Sequence, residues 1–363
     1  MSLTVDITGV PPERMLFVPS PLAELTAMLH VLASPSHHPA ALTWAGRVRA
    51  ALPPELAERL YEAEFLWRSS RADFLLPSHP AATLAEELDG VDRLDDDTYV
   101  SAALVTTCGA DRVLFGTPSP LVDSTSRERA LELAQARGPQ QGAFADRLMA
   151  EPAMVRARLR DTLEACGPAF FDETWRRIRP QLAADVRLKA DLLTRRGLGE
   201  TLASVSPALS LDQGRQRIVM DKLQDNSTSA AGDGVTFIPS VFGNPHLVCV
   251  HAPRWRPVLQ YPIAGQSADS PAPVPLEQIT LRLDALAHPV RIRLVRTLAR
   301  GPHTTGELAS AWELSPPEVS RHLAVLRKAG LLTTHRRGRY VHYELDAATA
   351  AALGSDLLEA LLR

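Results

Sequence analysis

With 363 residues the chain is too long for one ordinary core, so two or three domains are expected. Its 45% apolar and 22% charged content is that of a globular protein rather than a disordered or fibrous one. The net charge of −3 is unevenly placed, with 12 Lys+Arg against 9 Asp+Glu from Leu276 onward and 27 against 33 before it, which confines any footprint for a polyanion to the C-terminal quarter.

Cys108, Cys166 and Cys249 are widely spaced and odd in number, which indicates no disulfide framework and fits a reducing compartment. Residues 1–9 have neither a basic nor an apolar leader pattern, and no run approaches the roughly 18 apolar residues of a membrane span. A cytoplasmic protein without membrane contact is expected.

Leu3, Val5 and Ile7 alternate with polar residues as a strand would, and Met15–Val18 gives a second strand signal. Ser20-Pro21 reads as N-cap and first position of a helix running to about Ala33. Pro54–Ser69, Arg127–Arg137, Pro152–Cys166 and Phe170–Arg196 hold apolar residues at three-and-four spacing, and Pro180 is expected to kink or split the last. Near Gln216 the period changes to two. Ile218, Met220 and Leu223, then Val235–Val241, Leu247–Val250 and Val258–Tyr261, predict a small antiparallel sheet with hairpins. The Pro/Ser/Ala-rich stretch 264–275 reads as a linker between a domain at 1–263 and another at 276–363.

Few polar clusters stand out in residues 1–263. His37-His38, between Pro35 and Pro39, reads as a surface loop, and Asp95-Asp96-Asp97 as a solvated turn or helix cap. His246 and His251 lie five residues apart on an expected strand, hence on opposite faces, which argues against a shared metal. Arg254, Trp255, Arg256 and Tyr261 combine cations with aromatic faces and are candidates for an anionic or planar ligand, or for docking the two domains. Trp44, Trp67 and Trp175 read as core. No phosphate-binding glycine loop, His-Glu-x-x-His pair or Gly-x-Ser-x-Gly elbow occurs, so no catalytic motif, cofactor or metal is indicated.

Residues 276–345 carry the clearest pattern. Ile279–Leu286 predicts a helix stopped by His288-Pro289, and Ile292, Leu294, Val295 and Leu298 are the expected core face of the next. Thr304 or Thr305 caps a short third helix. Ser315-Pro316-Pro317-Glu318 reads as a capping box opening a fourth, in which Val319, Leu323 and Leu326 face inward and Ser320, Arg321, Ala324, Arg327 and Lys328 outward. A hairpin with Arg336, Arg337 and Arg339 at its tip follows. Val319–Tyr343 contains six Lys or Arg and no acid. This is the pattern of a winged helix-turn-helix.

Ser320-Arg321-His322-Leu323, Leu326-Arg327, Ala329-Gly330-Leu331, the tip Arg336–Tyr340 and the opening Ala285–Arg291 together resemble the ArsR/SmtB winged-helix regulators over the last quarter of the chain. The resemblance implies base reading at Pro316, Pro317, Ser320 and Arg321. Prolines replace the family's usual polar residues at the first two, which leaves readout mainly to Ser320 and Arg321. The DNA-facing set expected is Thr305, Ser315, Pro317, Glu318, Ser320, Arg321, His322, Arg327, Arg336, Arg337, Arg339 and Tyr340. Glu318 is placed to orient or partly neutralise Arg321. The resemblance further implies a homodimer on an inverted-repeat operator, and Leu353, Leu357, Leu358, Leu361 and Leu362 form the stripe of a closing helix. The family's metal sites are not expected, because Gly306–Trp312 has no Cys and Asp346–Arg363 no His.

The expected fold is α+β and mostly helical, a large N-terminal α+β domain with a small antiparallel sheet followed by the winged helix. The expected function is a repressor that binds double-stranded DNA, with a small-molecule effector or interaction domain in front. An enzyme or protein-binding module in residues 1–263, with the winged helix appended, is the alternative.

Overall fold

In the computed structural model, which describes residues 2–68, 70–109, 118–221, 226–230, 233–252, 255–263, 274–337 and 340–362, the chain divides into two compact units, Met1–Ser270 and Pro271–Leu362. The fold is α+β and mostly helical. Among the described residues no helix is long and apolar enough to cross a membrane.

The N-terminal unit is built around α1 (Pro21–Ala33). The Ser20 hydroxyl accepts the Ala23 N–H at 3.0 Å, and every residue from Pro21 to Leu32 is buried, as befits a helix apolar on nearly all sides. Around it lie α2 (Leu42–Ala51), α3 (Pro54–Ala63), α4 (Leu84–Asp92), α5 (Asp96–Cys108), α6 (Ser124–Arg137), α7 (Pro139–Ala150), α8 (Pro152–Cys166) and α9 (Asp172–Val205). Leu25, Leu29, Trp67, Phe74, Tyr99 and Leu163 join their faces in one core, with Trp44 and Trp175 packed at its margin. Asp95 caps α5 by accepting the Thr98 N–H at 2.8 Å.

Two helical expectations need correction. The helix from Pro54 stops at Ala63 and tightens into a 3-10 turn, Glu64–Leu66. Pro180 does not split the helix but lies within α9 at an exposed position. The break comes instead at Gly197, with φ 79°.

The small antiparallel sheet is in fact two four-stranded mixed sheets. The first runs β3 (Leu209–Asp212), β4 (Arg217–Asp221), β1 (Ser2–Asp6), β5 (Asn226–Ser229), with β1 antiparallel to β4 and parallel to β5. The second runs β2 (Met15–Phe17), β6 (Val235–Ser240), β8 (Val258–Pro262), β7 (Val248–Val250), and β6 is parallel to both its neighbours. All six residues of β6 are buried, as parallel strands covered on both faces usually are. Strand periods are local, whereas the pairings of β1 with β4 and β5 and of β2 with β6 join residues more than two hundred positions apart. Leu223 lies outside the described residues, as does most of the expected linker.

The C-terminal unit runs α10 (Leu276–Leu286), α11 (Pro289–Leu298), β9 (His303–Thr304), α12 (Thr305–Trp312), α13 (Pro316–Lys328), β10 (Leu332–Arg337), β11 (Tyr340–Leu345) and α14 (Ala347–Leu362). Leu294, Leu298, Leu308, Val319, Leu323, Leu326 and Leu331 make its core. Ile292, expected there, is 47% exposed.

Candidate nucleic-acid interface

The helix-turn-helix is α12, a turn and α13. Thr304, not Thr305, is the N-cap of α12. Its hydroxyl accepts the Glu307 N–H, and Glu307 accepts the Thr304 N–H at 2.7 Å, a complete capping box. Glu313 takes a left-handed φ of 52° and turns the chain. At the start of α13 only half of the expected box forms. Ser315 Oγ accepts the Glu318 N–H at 3.4 Å, and no reciprocal bond accompanies it among the described residues.

Val319, Leu323 and Leu326 are wholly buried, which fixes the rotation of α13 and turns Ser320, Arg321, Ala324, Arg327 and Lys328 to solvent. Ser315 and Pro317 are exposed, while Thr305, Glu318 and His322 are half-buried. Arg321, Arg327 and Lys328 have no ion-pair partner among the described residues, and the expected Glu318–Arg321 pair does not form. Elsewhere in this unit Arg282 and Asp356 do pair, at 2.8 Å, between α10 and α14. In the N-terminal unit Arg160 alone engages Asp89, Asp92 and Glu164. Cations left unpaired on one helix face form a surface ready for phosphate.

His322 lies 4.9 Å from His288, ring to ring, and burial, then His288 and Arg291, lower its pKa. It stands half-buried on the flank of α13. In the wing, β10 and β11 pair antiparallel with Arg336 opposite Val341 and Arg337 opposite Tyr340. Arg336 is exposed. Arg339 lies outside the described residues.

The structure corrects the ligand expectation near residue 255. Tyr261 is fully buried and its hydroxyl donates to Asp185 at 2.6 Å, while Arg256 is buried and donates to the carbonyls of Arg14 and Val235. Trp255 packs against two core clusters, and Arg254 lies outside the described residues. Trp255, Arg256 and Tyr261 thus tie the second sheet to its surroundings.

The surface-loop reading of His37-His38 is also overturned. His38 is 3% exposed and stands with His37, His30 and His246 in one cluster. Burial, followed by Arg71, lowers His30 to about 2, and burial lowers His38 to about 4. His30, on the apolar α1, gave no polar signal of its own, and His246 is too distant in sequence to be linked to it by spacing.

Residues 1–267 match a family of unknown function, DUF5937, and residues 286–335 match a helix-turn-helix domain family. The C-terminal part is similar to the biofilm growth-associated repressor of Agrobacterium fabrum, 38% identical over 76 residues, covering 21% of this chain and 65% of that protein. The chain therefore spans less than two thirds of that relative's length. It is also similar to the transcriptional repressor SdpR of Bacillus subtilis, 32% identical over 62 residues, covering 17% of this chain and 69% of that protein. Among solved structures, the transcriptional repressor BigR from Xylella fastidiosa is 37% identical, with 22% of this chain and 83% of that one covered and a TM-score of 0.20.

Proposed function

Since the chain belongs to the family of unknown function DUF5937 and ends in a winged helix of the ArsR/SmtB group, we propose that it is a cytoplasmic DNA-binding transcriptional regulator that represses by occupying an operator. The observation that carries this reading is the outward face of α13, where Arg321, Arg327 and Lys328 stand exposed and unpaired among the described residues on a helix whose rotation is fixed by buried Val319, Leu323 and Leu326. In this reading α13 enters the major groove, Ser320 and Arg321 read base edges, and Arg336 with the rest of the wing meets phosphate or the neighbouring minor groove.

The functional units are then residues 1–263, a non-catalytic effector or interaction domain, and 276–363, the DNA-binding domain, joined by 264–275. A homodimer is part of the proposal. No residue of α14 is buried within the chain, and Leu358 and Leu361 are 36% and 64% exposed, which supports a second copy covering this helix. Two copies would read half-sites about 10 bp apart. An effector at the N-terminal unit acts only through different affinities for the DNA-competent and incompetent states.

Fluorescence anisotropy on the DNA upstream of the chain's own gene, at two salt concentrations, tests the reading. Arg321→Ala is expected to lower specific affinity by about 1–3 kcal/mol and flatten sequence preference. Arg336→Ala is expected to weaken all sequences alike and reduce the salt slope by about one. Weak binding indifferent to both changes would overturn it.

A further inference from the structure

Four imidazoles converge inside the N-terminal unit. His30 lies in the last turn of α1, His37 closes the 3-10 turn Pro35–His37, His38 follows it, and His246 stands just before β7. The rings of His30, His38 and His246 are 4.7, 5.0 and 5.1 Å apart, and one nitrogen each from His30, His37 and His246 lies within 4.8 Å of the others. His30 Nε2 and His246 Nε2 are 3.0 Å apart.

Backbone carbonyls set two of the tautomers. His30 Nδ1 meets the Trp67 carbonyl at 3.0 Å and His38 Nδ1 meets the Asn244 carbonyl at 2.6 Å. A carbonyl only accepts, so in each neutral ring Nδ1 carries the proton and Nε2 keeps a lone pair. The Nε2 lone pair of His30 points at His246, and that of His38 is buried without a partner, as is His37 Nδ1. A hydrogen bond from His246 to His30 satisfies one pair only. It leaves two buried imidazole nitrogens, His37 Nδ1 and His38 Nε2, desolvated with nothing to offset the cost. One cation can answer the nitrogens of His30, His37 and His246 together, and a carbonyl on the far nitrogen, as at His30, is the usual outer support of a metal-bound imidazole.

We propose that His30, His37 and His246, with His38 packed against them, bind one borderline divalent transition-metal ion of the Zn2+ class. Imidazole donors without thiolate suit Zn2+, Ni2+ or Cu2+ rather than Ca2+ or Mg2+. Tetrahedral zinc with bonds of about 2.0–2.1 Å sets its nitrogens about 3.4 Å apart, so the 3.0 Å His30–His246 separation needs a shift of only a few tenths of an ångström. Arg71, buried and donating to the same Trp67 carbonyl as His30, opposes the ion's charge, so affinity falls below that of a thiolate site. The ion ties the end of α1 to the 35–38 turn and to the segment before β7, and a ligand held only by the folded state raises its stability.

The test uses the untagged full-length chain, stripped with a chelator and titrated with Zn2+ against a chromophoric competitor at micromolar concentrations. One ion per chain and a raised melting temperature are expected. His37→Asn and His246→Asn should each weaken binding more than the roughly 10–100-fold typical of outer-shell changes, while His79→Asn and Cys249→Ser leave it unchanged. Co2+-loaded wild type should show ligand-field bands without a thiolate charge-transfer band, which decides the donor class even where a variant fails to fold. No uptake by wild type, uptake unaltered in the folded His37→Asn variant, or a thiolate band would each overturn the proposal.

Discussion

Glu24 and Glu87 are carboxylates drawn into the interior. Glu24 accepts the N–H groups of Val241 and Phe242 at 3.0 Å each, and Glu87 accepts Ser20 Oγ, the Leu22 N–H and the Ala81 N–H. Burial outweighs these bonds and raises both carboxyls from 4.5 to about 7. Between those values the folded state holds protons that the unfolded chain releases, so this contribution to stability is complete below the unfolded value and is lost as pH rises through the folded one. His30 and His38, which burial holds neutral, act in the opposite sense as pH rises toward their ordinary value, so the carboxyl contribution is read as a difference: in urea unfolding followed by tryptophan fluorescence we expect wild type to lose about 1–3 kcal/mol relative to Glu24→Gln between pH 5 and 7.5. A difference between wild type and Glu24→Gln that does not change with pH would refute the burial argument. Neither carboxyl's role was legible in the sequence, because Glu87 stands beside the exposed Glu86 and Asp89, and the N–H groups that Glu24 accepts lie more than two hundred residues away. Arg321 was legible, since its neighbours Val319 and Leu323 state which way the helix faces.

Elements were most legible where caps and periods agree. Ser20-Pro21 and Pro152 fixed helix starts to the residue, while the run from Pro54 was overextended because apolar spacing continues through a 3-10 turn that differs only in its hydrogen bonding. Gly330 shows what a well-marked end provides. It stands at φ 73° after α13, with its N–H on the Arg327 carbonyl at 2.9 Å and the Leu331 N–H on the Leu326 carbonyl at 3.1 Å, a Schellman arrangement. A methyl group there meets nothing nearer than Gln278 Nε2 at 3.7 Å, so substitution costs conformation and not space. Gly330→Ala should destabilise the C-terminal unit by about 1 kcal/mol, and Gly330→Asn by less, because Asn tolerates the left-handed region. Thermal denaturation of the two variants checks the order; equal losses would point to a steric cause. The caps differ in the same spirit. Thr304→Ala removes a complete box and should cost more than Ser315→Ala, which removes one long bond.

At the scale of the molecule, the sequence marks two units by a change of charge and of pattern, yet it hides the assembly of the first, whose sheets draw β1 and β2 across more than two hundred residues of helices. The C-terminal unit is simpler, since most of its contacts join neighbours in sequence, but it is left with a helix it does not bury. Arg282 and Asp356 fasten α14 to α10 at 2.8 Å, and Leu276, Leu281 and Leu283 on α10 are 41%, 38% and 41% exposed, as Leu358 and Leu361 on α14 also are in part. Charge at Leu361, 64% exposed within one copy, should leave that copy folded while disfavouring an apolar interface between two. We therefore expect Leu361→Glu to keep the wild-type circular dichroism, to shift light scattering at micromolar concentration from dimer to monomer, and to weaken binding to an inverted repeat far more than to a single half-site, because only the former gains from two linked recognition helices. A variant that stays dimeric and binds both DNAs as wild type does would move the interface away from α14, and a wild type that is monomeric would remove it altogether.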